Sequence, residues 1–116
     1  MSLESFLNIA ACAALILFGL YAVMRPFNAA VMAHLKPDDA TGTAEVRINF
    51  GTLSLMMGIA PLLLNDPVAY QVVGVVFLGA FVTRLITVVV DHPQIERLFV
   101  MSGIFELVVG LILLVR

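Results

Sequence analysis

The chain has 116 residues, of which 62% are hydrophobic and only 12% are charged, and its mean hydropathy is +1.11. A water-soluble domain of this size carries about twice that charged fraction, so this chain has too little polar surface to face water on all sides. Its net charge of -2, with six dispersed basic residues, excludes the clustered basic face that nucleic acid binding needs. A single cysteine excludes a metal site built on several thiolates.

Four apolar segments, at about residues 6–24, 44–64, 67–90 and 94–115, each come close to the roughly 20 residues that a helix needs to cross a bilayer. Lipid offers the backbone no hydrogen-bond partners, so each segment must satisfy its own backbone groups as a helix. The sequence therefore predicts an all-α protein, an integral membrane four-helix bundle. A single transmembrane domain is expected over residues 1–116, with a polar loop at about residues 26–43.

The first helix is expected to pack closely on a neighbour because it is rich in small residues, namely Ala10, Ala11, Ala13, Ala14 and Gly19. Asn8, near its start, is expected at the membrane interface. Pro26 ends the helix, since proline lacks a backbone donor. Within the loop, Phe27–Leu35 is predicted to form a short helix on the membrane surface, and Thr41 or Thr43 is the expected cap of the second spanning helix.

The second spanning helix opens with polar residues: Glu45, Arg47, Asn49, Thr52 and Ser54. On a helical wheel Arg47 shares one face with Gly51, Ser54 and Gly58, and those small residues favour close packing on a neighbour. At the end of this helix, Asp66 is the expected cap of the next one, whose first position suits Pro67.

Ionisable side chains also occur inside the third and fourth helices. Arg84 and Glu106 each lie about two turns inside their helices, counted from the membrane face to which Arg47 is also close. Gly103 and Gly110 lie on the same stripe of the fourth helix as Glu106. Charges at this depth are costly unless they are paired. We therefore expect Arg47, Arg84 and Glu106 to meet inside the bundle. The complete predicted polar cluster is Glu45, Arg47, Asn49, Arg84, Asp91 and Glu106, with Glu45 and Asp91 at its rim.

Two interpretations of this cluster stay open. Glu106 pairs with Arg84 or Arg47 and only fixes the register of the helices, or the charged groups line a pocket for a headgroup, a quinone-like ring, a sterol hydroxyl or a proton. No metal site and no cofactor are predicted, because the chain shows no strong ligand spacing, phosphate loop or dinucleotide motif.

Several of these residues also carry a resemblance to a known family. Gly19-Leu20 with Pro26, Glu45-Val-Arg47, Phe50-Gly51-Thr52, Arg84 through Asp91, and Glu106 with Gly110 resemble the bacterial family known as DUF4345, small four-helix membrane proteins of unknown function. Thr52, Thr83 and His92 depart from it, since the family tends to have glycine there. The resemblance implies that Glu45, Arg47, Arg84, Asp91 and Glu106 matter together, and it implies no substrate.

The favoured function is that of a non-enzymatic small membrane protein whose polar cluster stabilises the bundle or binds a lipid-like ligand. One alternative is an accessory subunit of a larger membrane complex, and another is a small membrane enzyme or transporter acting on an amphipathic substrate. The expected partners are membrane lipid and a homo-oligomer or larger complex. The chain is expected in the bacterial inner membrane, with both termini outside the cytoplasm because its Lys and Arg residues concentrate on the loop side.

Overall fold

A computed structural model describes residues 2–33, 35–93 and 95–115. Its helices are α1 (Leu3–Met24), α2 (Pro26–Met32), α3 (Ala40–Leu64), α4 (Pro67–Val90) and α5 (Arg97–Leu114). These ranges contain no strand. Four of the helices, α1, α3, α4 and α5, are long and apolar enough to cross a membrane. The prediction of an all-α chain with four helices of membrane-crossing length is confirmed.

The start of α3 differs from the sequence prediction. This helix begins at Ala40, because the Asp39 side chain caps it by accepting a hydrogen bond of 2.8 Å from the backbone N–H of Gly42. The expected threonine caps were therefore wrong. Thr43 instead donates its hydroxyl to the Asp39 carbonyl at 3.1 Å.

The bounds of α4 and α5 follow from their first residues. Asp66 accepts a hydrogen bond of 2.8 Å from the Val68 backbone and Pro67 opens α4, as the sequence predicts. The fourth spanning helix begins at Arg97 rather than near residue 94. Gln94 lies outside the described residues, and the extended backbone of Glu96 at the N-cap position sets the start of α5.

An irregular segment interrupts α3. Ala40–Val46 and Leu53–Leu64 are α-helical, whereas Arg47–Thr52 between them is π-helical. A π-helical turn closes its hydrogen bonds over five residues instead of four, so it places one more residue in the turn. The assignment of residues to helix faces at 100° per residue, which the sequence analysis used, therefore does not hold across Arg47–Thr52.

The chain divides into two compact units. The first unit is Ile9–Asn65, and the second joins the start of α1, up to Asn8, to the chain from Asp66 onward. In the first unit α1 and α3 run antiparallel with their backbones in close contact. A Cβ atom built on Gly19 would lie 2.7 Å from the Gly51 carbonyl oxygen, and one on Gly58 would lie 2.5 Å from the Cys12 carbonyl oxygen. Side chains larger than hydrogen have no room there.

The second unit contains the antiparallel pair α4 and α5. A Cβ atom on Gly74 would lie 2.7 Å from the Leu114 backbone nitrogen and 2.9 Å from the Gly110 carbonyl oxygen. Further along the pair, Phe77 and Phe105 meet edge to face, with ring centroids 6.3 Å apart and an interplanar angle of 81°. This is a favoured geometry for two aromatic rings, so it adds to the packing around the glycine contact.

Asn8 is the buried polar residue of α1, and its expected position at the membrane interface stays a prediction. Its side chain is buried within the protein, with 1% of its surface exposed. Its amide nitrogen donates to the Glu4 carbonyl at 2.7 Å, and its amide oxygen has no hydrogen-bond partner within the described part of the chain. The local bond to Glu4 satisfies one N–H of the amide without any second helix.

Two glycines of α4 allow a matched test of the helix contact. We expect Gly74→Ala to lower the free energy of unfolding in detergent by about 1–3 kcal/mol, because its methyl group would collide with the backbone of α5. Gly79→Ala is the control, since a Cβ atom there meets nothing within 4 Å, and it should leave stability unchanged or raise it by up to about 1 kcal/mol, because alanine favours the helix over glycine. Circular dichroism during denaturation measures both, and equal effects would contradict the packing described here.

Candidate functional site

An ion pair between α4 and α5 is the centre of the candidate site. Arg84 donates from Nε to Glu106 Oε1 at 2.7 Å and from Nη2 to Glu106 Oε2 at 2.9 Å. This two-bond arrangement between a planar guanidinium and a carboxylate is stronger and more directional than a single charged contact. It therefore fixes both the separation and the relative rotation of the two helices at this height.

Residues of α5 on the face of Glu106 make room for the arginine and cover it. A Cβ atom on Gly103 would lie 3.0 Å from Cδ of Arg84, so the glycine leaves space for the arginine's aliphatic stem. The Arg84 Cζ atom lies 4.8 Å from the centroid of the Phe99 ring, which is a cation–π contact. Phe99, Gly103 and Glu106 follow one another at helical spacing along one stripe of α5.

The pair lies inside two helices that are each long and apolar enough to cross a membrane. Arg84 precedes Val90, the last residue of α4, by six positions, which is about 9 Å along the helix axis. The side chains of Arg84 and Glu106 keep 24% and 15% of their surface exposed. In lipid an unpaired charge at this position would be costly, and mutual neutralisation removes most of that cost.

The two partners keep further hydrogen-bonding capacity. A guanidinium carries five N–H donors, and the ion pair uses two of them. Each carboxylate oxygen of Glu106 accepts one bond from Arg84 and has a second lone pair. The partial exposure of both groups leaves this capacity within reach of a polar group of a bound molecule.

Arg47, in the first unit, binds a backbone group. Its Nη1 atom donates to the carbonyl oxygen of Val23, in the last turn of α1. Carbonyl groups of a last helical turn have no partner within the helix, and the following chain offers fewer donors than usual because Pro26 has no N–H. A positive charge is also favourable at the C-terminal end of a helix dipole. The exposed Arg47 side chain thus joins α3 to the end of α1.

The remaining predicted site residues make local contacts. The Asn49 amide nitrogen donates to a carboxylate oxygen of Glu45 and to its backbone carbonyl, both at 3.0 Å. Asp91 is exposed at the end of α4, where its backbone N–H donates to the Thr87 carbonyl at 2.8 Å. These three residues lie at helix ends or on exposed helix faces.

The structure thus brings together two pairs of the predicted residues, Arg84 with Glu106 and Glu45 with Asn49. The expected meeting of Arg47 with Arg84 and Glu106 involves both units and stays a prediction. Phe99 was missed by the sequence interpretation, although it stands seven residues before Glu106, the spacing that places two side chains on one helix face. The Val23 carbonyl could not be predicted as the partner of Arg47, because a backbone acceptor is not marked by its side chain.

Comparisons with known proteins identified no related protein or family. A scan against protein-family models, a search of curated proteins and a search of solved structures each found no match. Within residues 2–33, 35–93 and 95–115, no group of three or more His, Cys, Asp or Glu side chains is placed to hold a metal ion.

Substitution of both members of the ion pair measures their coupling. We expect Glu106→Leu alone to lower the free energy of unfolding by about 3 kcal/mol, the lower end for a broken buried pair, since both side chains are partly exposed. Arg84→Leu combined with Glu106→Leu should recover at least half of that loss, because neither charge then lacks a partner. Denaturation in detergent of the two single variants and the double variant gives the coupling free energy. Additive losses would contradict a direct interaction.

Removal of the Arg47 charge tests its role at the end of α1. Arg47→Met keeps most of the side-chain length but removes the donor to Val23, and we expect a loss of about 1 kcal/mol, as for an exposed hydrogen bond with a charged donor. Lys36→Met is the control for loss of one positive charge from an exposed position, and it should cost less than about 0.5 kcal/mol. The same denaturation measurement applies, and equal losses would refute the cap at α1.

Proposed function

We propose that this chain is a small integral membrane protein whose Arg84–Glu106 pair holds α4 and α5 in register and binds the polar end of a lipid-like ligand. The single observation that carries the proposal is the pair itself, a two-bond ion pair within helices of membrane-crossing length that keeps 24% and 15% of its side-chain surface exposed. Because part of each side chain is exposed, the pair is accessible to a molecule that lies against α4 and α5. An accessible pair retains donors and acceptors for a third group.

The chemistry of the pair favours a neutral or zwitterionic polar group over a free anion. Glu106 already neutralises Arg84, so a bare phosphate would meet a site with no net charge. An ester, hydroxyl or carbonyl oxygen needs only a donor, and the guanidinium supplies several N–H groups that the carboxylate does not use. Arg84 lies about 9 Å from the end of α4. With that end at the membrane surface, the Arg84 side chain would reach the ester groups and upper acyl chains of a phospholipid.

The setting proposed for this function is the bacterial inner membrane, with both chain ends outside the cytoplasm. It rests on four helices long enough to span and on the position of the basic residues along the chain. Membership of the DUF4345 family, on the residues that resemble it, is part of the same proposal.

A second candidate function is that of an accessory subunit in a larger membrane complex or a homo-oligomer. It is favoured by the open surface of α4 around Gly79, where a Cβ atom would meet nothing within 4 Å and where Val75, Val82 and Ile86 are exposed. Small residues on an open face allow a further helix to approach closely. A partner helix on this face and a lipid at the ion pair are compatible with each other.

Native mass spectrometry after extraction in a mild detergent tests the ligand. We expect the unmodified chain to retain phospholipid, and Arg84→Leu combined with Glu106→Leu to retain about tenfold less, since a hydrogen bond with a charged donor contributes about 1.5 kcal/mol. Thr83→Val is the matched control, because Thr83 is exposed beside Arg84 and its hydroxyl bonds within its own helix, to the Gly79 carbonyl at 3.0 Å.

Equal lipid retention by a stably folded double variant would overturn the ligand proposal and leave the pair as a structural clamp. The same spectra report the mass of the particle. Larger subunits that remain bound would support the accessory role, whereas a monomer would contradict it.

A further inference from the structure

The outward face of the short helix α2 is the feature that remains unused by the proposed function. On one side of α2, Pro26, Ala29 and Ala30 are buried within the first unit, and the two alanines keep 2% and 0% of their surface exposed. On the other side, Phe27 and Val31 stand one turn apart with about half of their surfaces exposed, and Met32 lies beside them at 44%. Small residues of α2 therefore face the protein, and its large apolar residues face outward.

Chain connectivity restricts where α2 can lie. Only Arg25 separates the end of α1 at Met24 from the start of α2 at Pro26, so α2 begins at the end of a helix that is long enough to cross a membrane. A helix of seven residues is about 10 Å long, too short to cross a bilayer or to extend far from its surface. Large apolar side chains at this boundary are favoured in the acyl region rather than in water.

Charged residues at both ends of α2 suit the same location. Arg25 directly precedes the helix and Lys36 stands four positions after its last residue, Met32, and both side chains are exposed. Long basic side chains at a membrane boundary place their stems along apolar surface and their charges among the headgroups. The exposed Asn28 is the polar member of the outward face and can remain at headgroup level.

We propose that α2 is an interfacial anchor, whose Phe27 and Val31 side chains insert between the upper acyl chains of the bilayer that α1 spans. The occupant of this face is phospholipid, in preference to a second copy of the chain or a partner protein. This occupant is favoured by the basic residues that flank α2 and by the directly preceding helix α1, which is apolar enough to span and exposes Leu17 and Met24 by 68% and 73%. The buried Ala29 and Ala30 fix the other side of α2 to the protein.

The absence of tryptophan from the sequence permits a direct measurement, because any introduced tryptophan is the sole one. Single variants Phe27→Trp and Val31→Trp are reconstituted in phosphatidylcholine vesicles whose acyl chains carry bromine either near the headgroup or near the bilayer centre. Leu17→Trp, which is seven residues and so about 10 Å before the end of α1, and Asp38→Trp, in the exposed polar loop, are the deeper and aqueous controls. Fluorescence emission, quenching by bromine and quenching by aqueous iodide are recorded for each.

We expect both α2 variants to emit at shorter wavelength than the Asp38 variant and to be quenched about twofold more by shallow bromine than by deep bromine, as for a helix seated at the headgroup and acyl boundary. Leu17→Trp should show the opposite bromine preference. Emission and iodide quenching equal to those of the Asp38 variant would place α2 in water and overturn the proposal. Protection from both bromine and iodide would also overturn it, because a protein surface would then cover the face. Val31→Trp keeps the test available if Phe27→Trp does not fold.

Discussion

Direct contact between helix backbones is the constraint on which each unit depends. In lipid, apolar side chains gain little by leaving the membrane for one another, so helices associate through close van der Waals contact and hydrogen bonds. Gly58 against Cys12 in one unit, and Gly74 against Leu114 in the other, provide contacts that a single methyl group would disrupt. The large apolar side chains are left to face outward, which is why so many of them are exposed.

The Arg84–Glu106 hydrogen bonds are directional, so they fix the register of the two helices, which the glycine contacts alone do not. Smooth backbone surfaces tolerate a small slide, whereas a shift of one residue would move Glu106 by about 1.5 Å along α5 and rotate it by about 100°. The two hydrogen bonds from Arg84 would not survive such a shift. A partly buried ion pair of this kind specifies an arrangement more effectively than it adds stability, and the Phe99 ring beneath the guanidinium supports it without adding a charge.

The sequence predicts the features that depend on hydropathy and on proline, such as the four spans and the start of α4 at Pro67. It also identifies Arg84 as one of two partners for Glu106, because a charge in lipid requires an opposite one. It does not predict that Arg47 binds the Val23 carbonyl, since every residue carries a carbonyl and no side chain marks the acceptor. Asp39 was overlooked as a cap because two threonines nearby suit the same role.

The π-helical turn at Arg47–Thr52 changes how α3 presents its two ends. One additional residue in the turn rotates everything before it by about 100° relative to everything after it. The Glu45 carboxylate, which precedes the turn, is thereby directed independently of the backbone contact that Gly58 makes with α1. The Arg47 guanidinium, inside the turn, still reaches the Val23 carbonyl of α1, so one irregular turn lets α3 keep its close contact with α1 while it aims a neighbouring acidic group elsewhere.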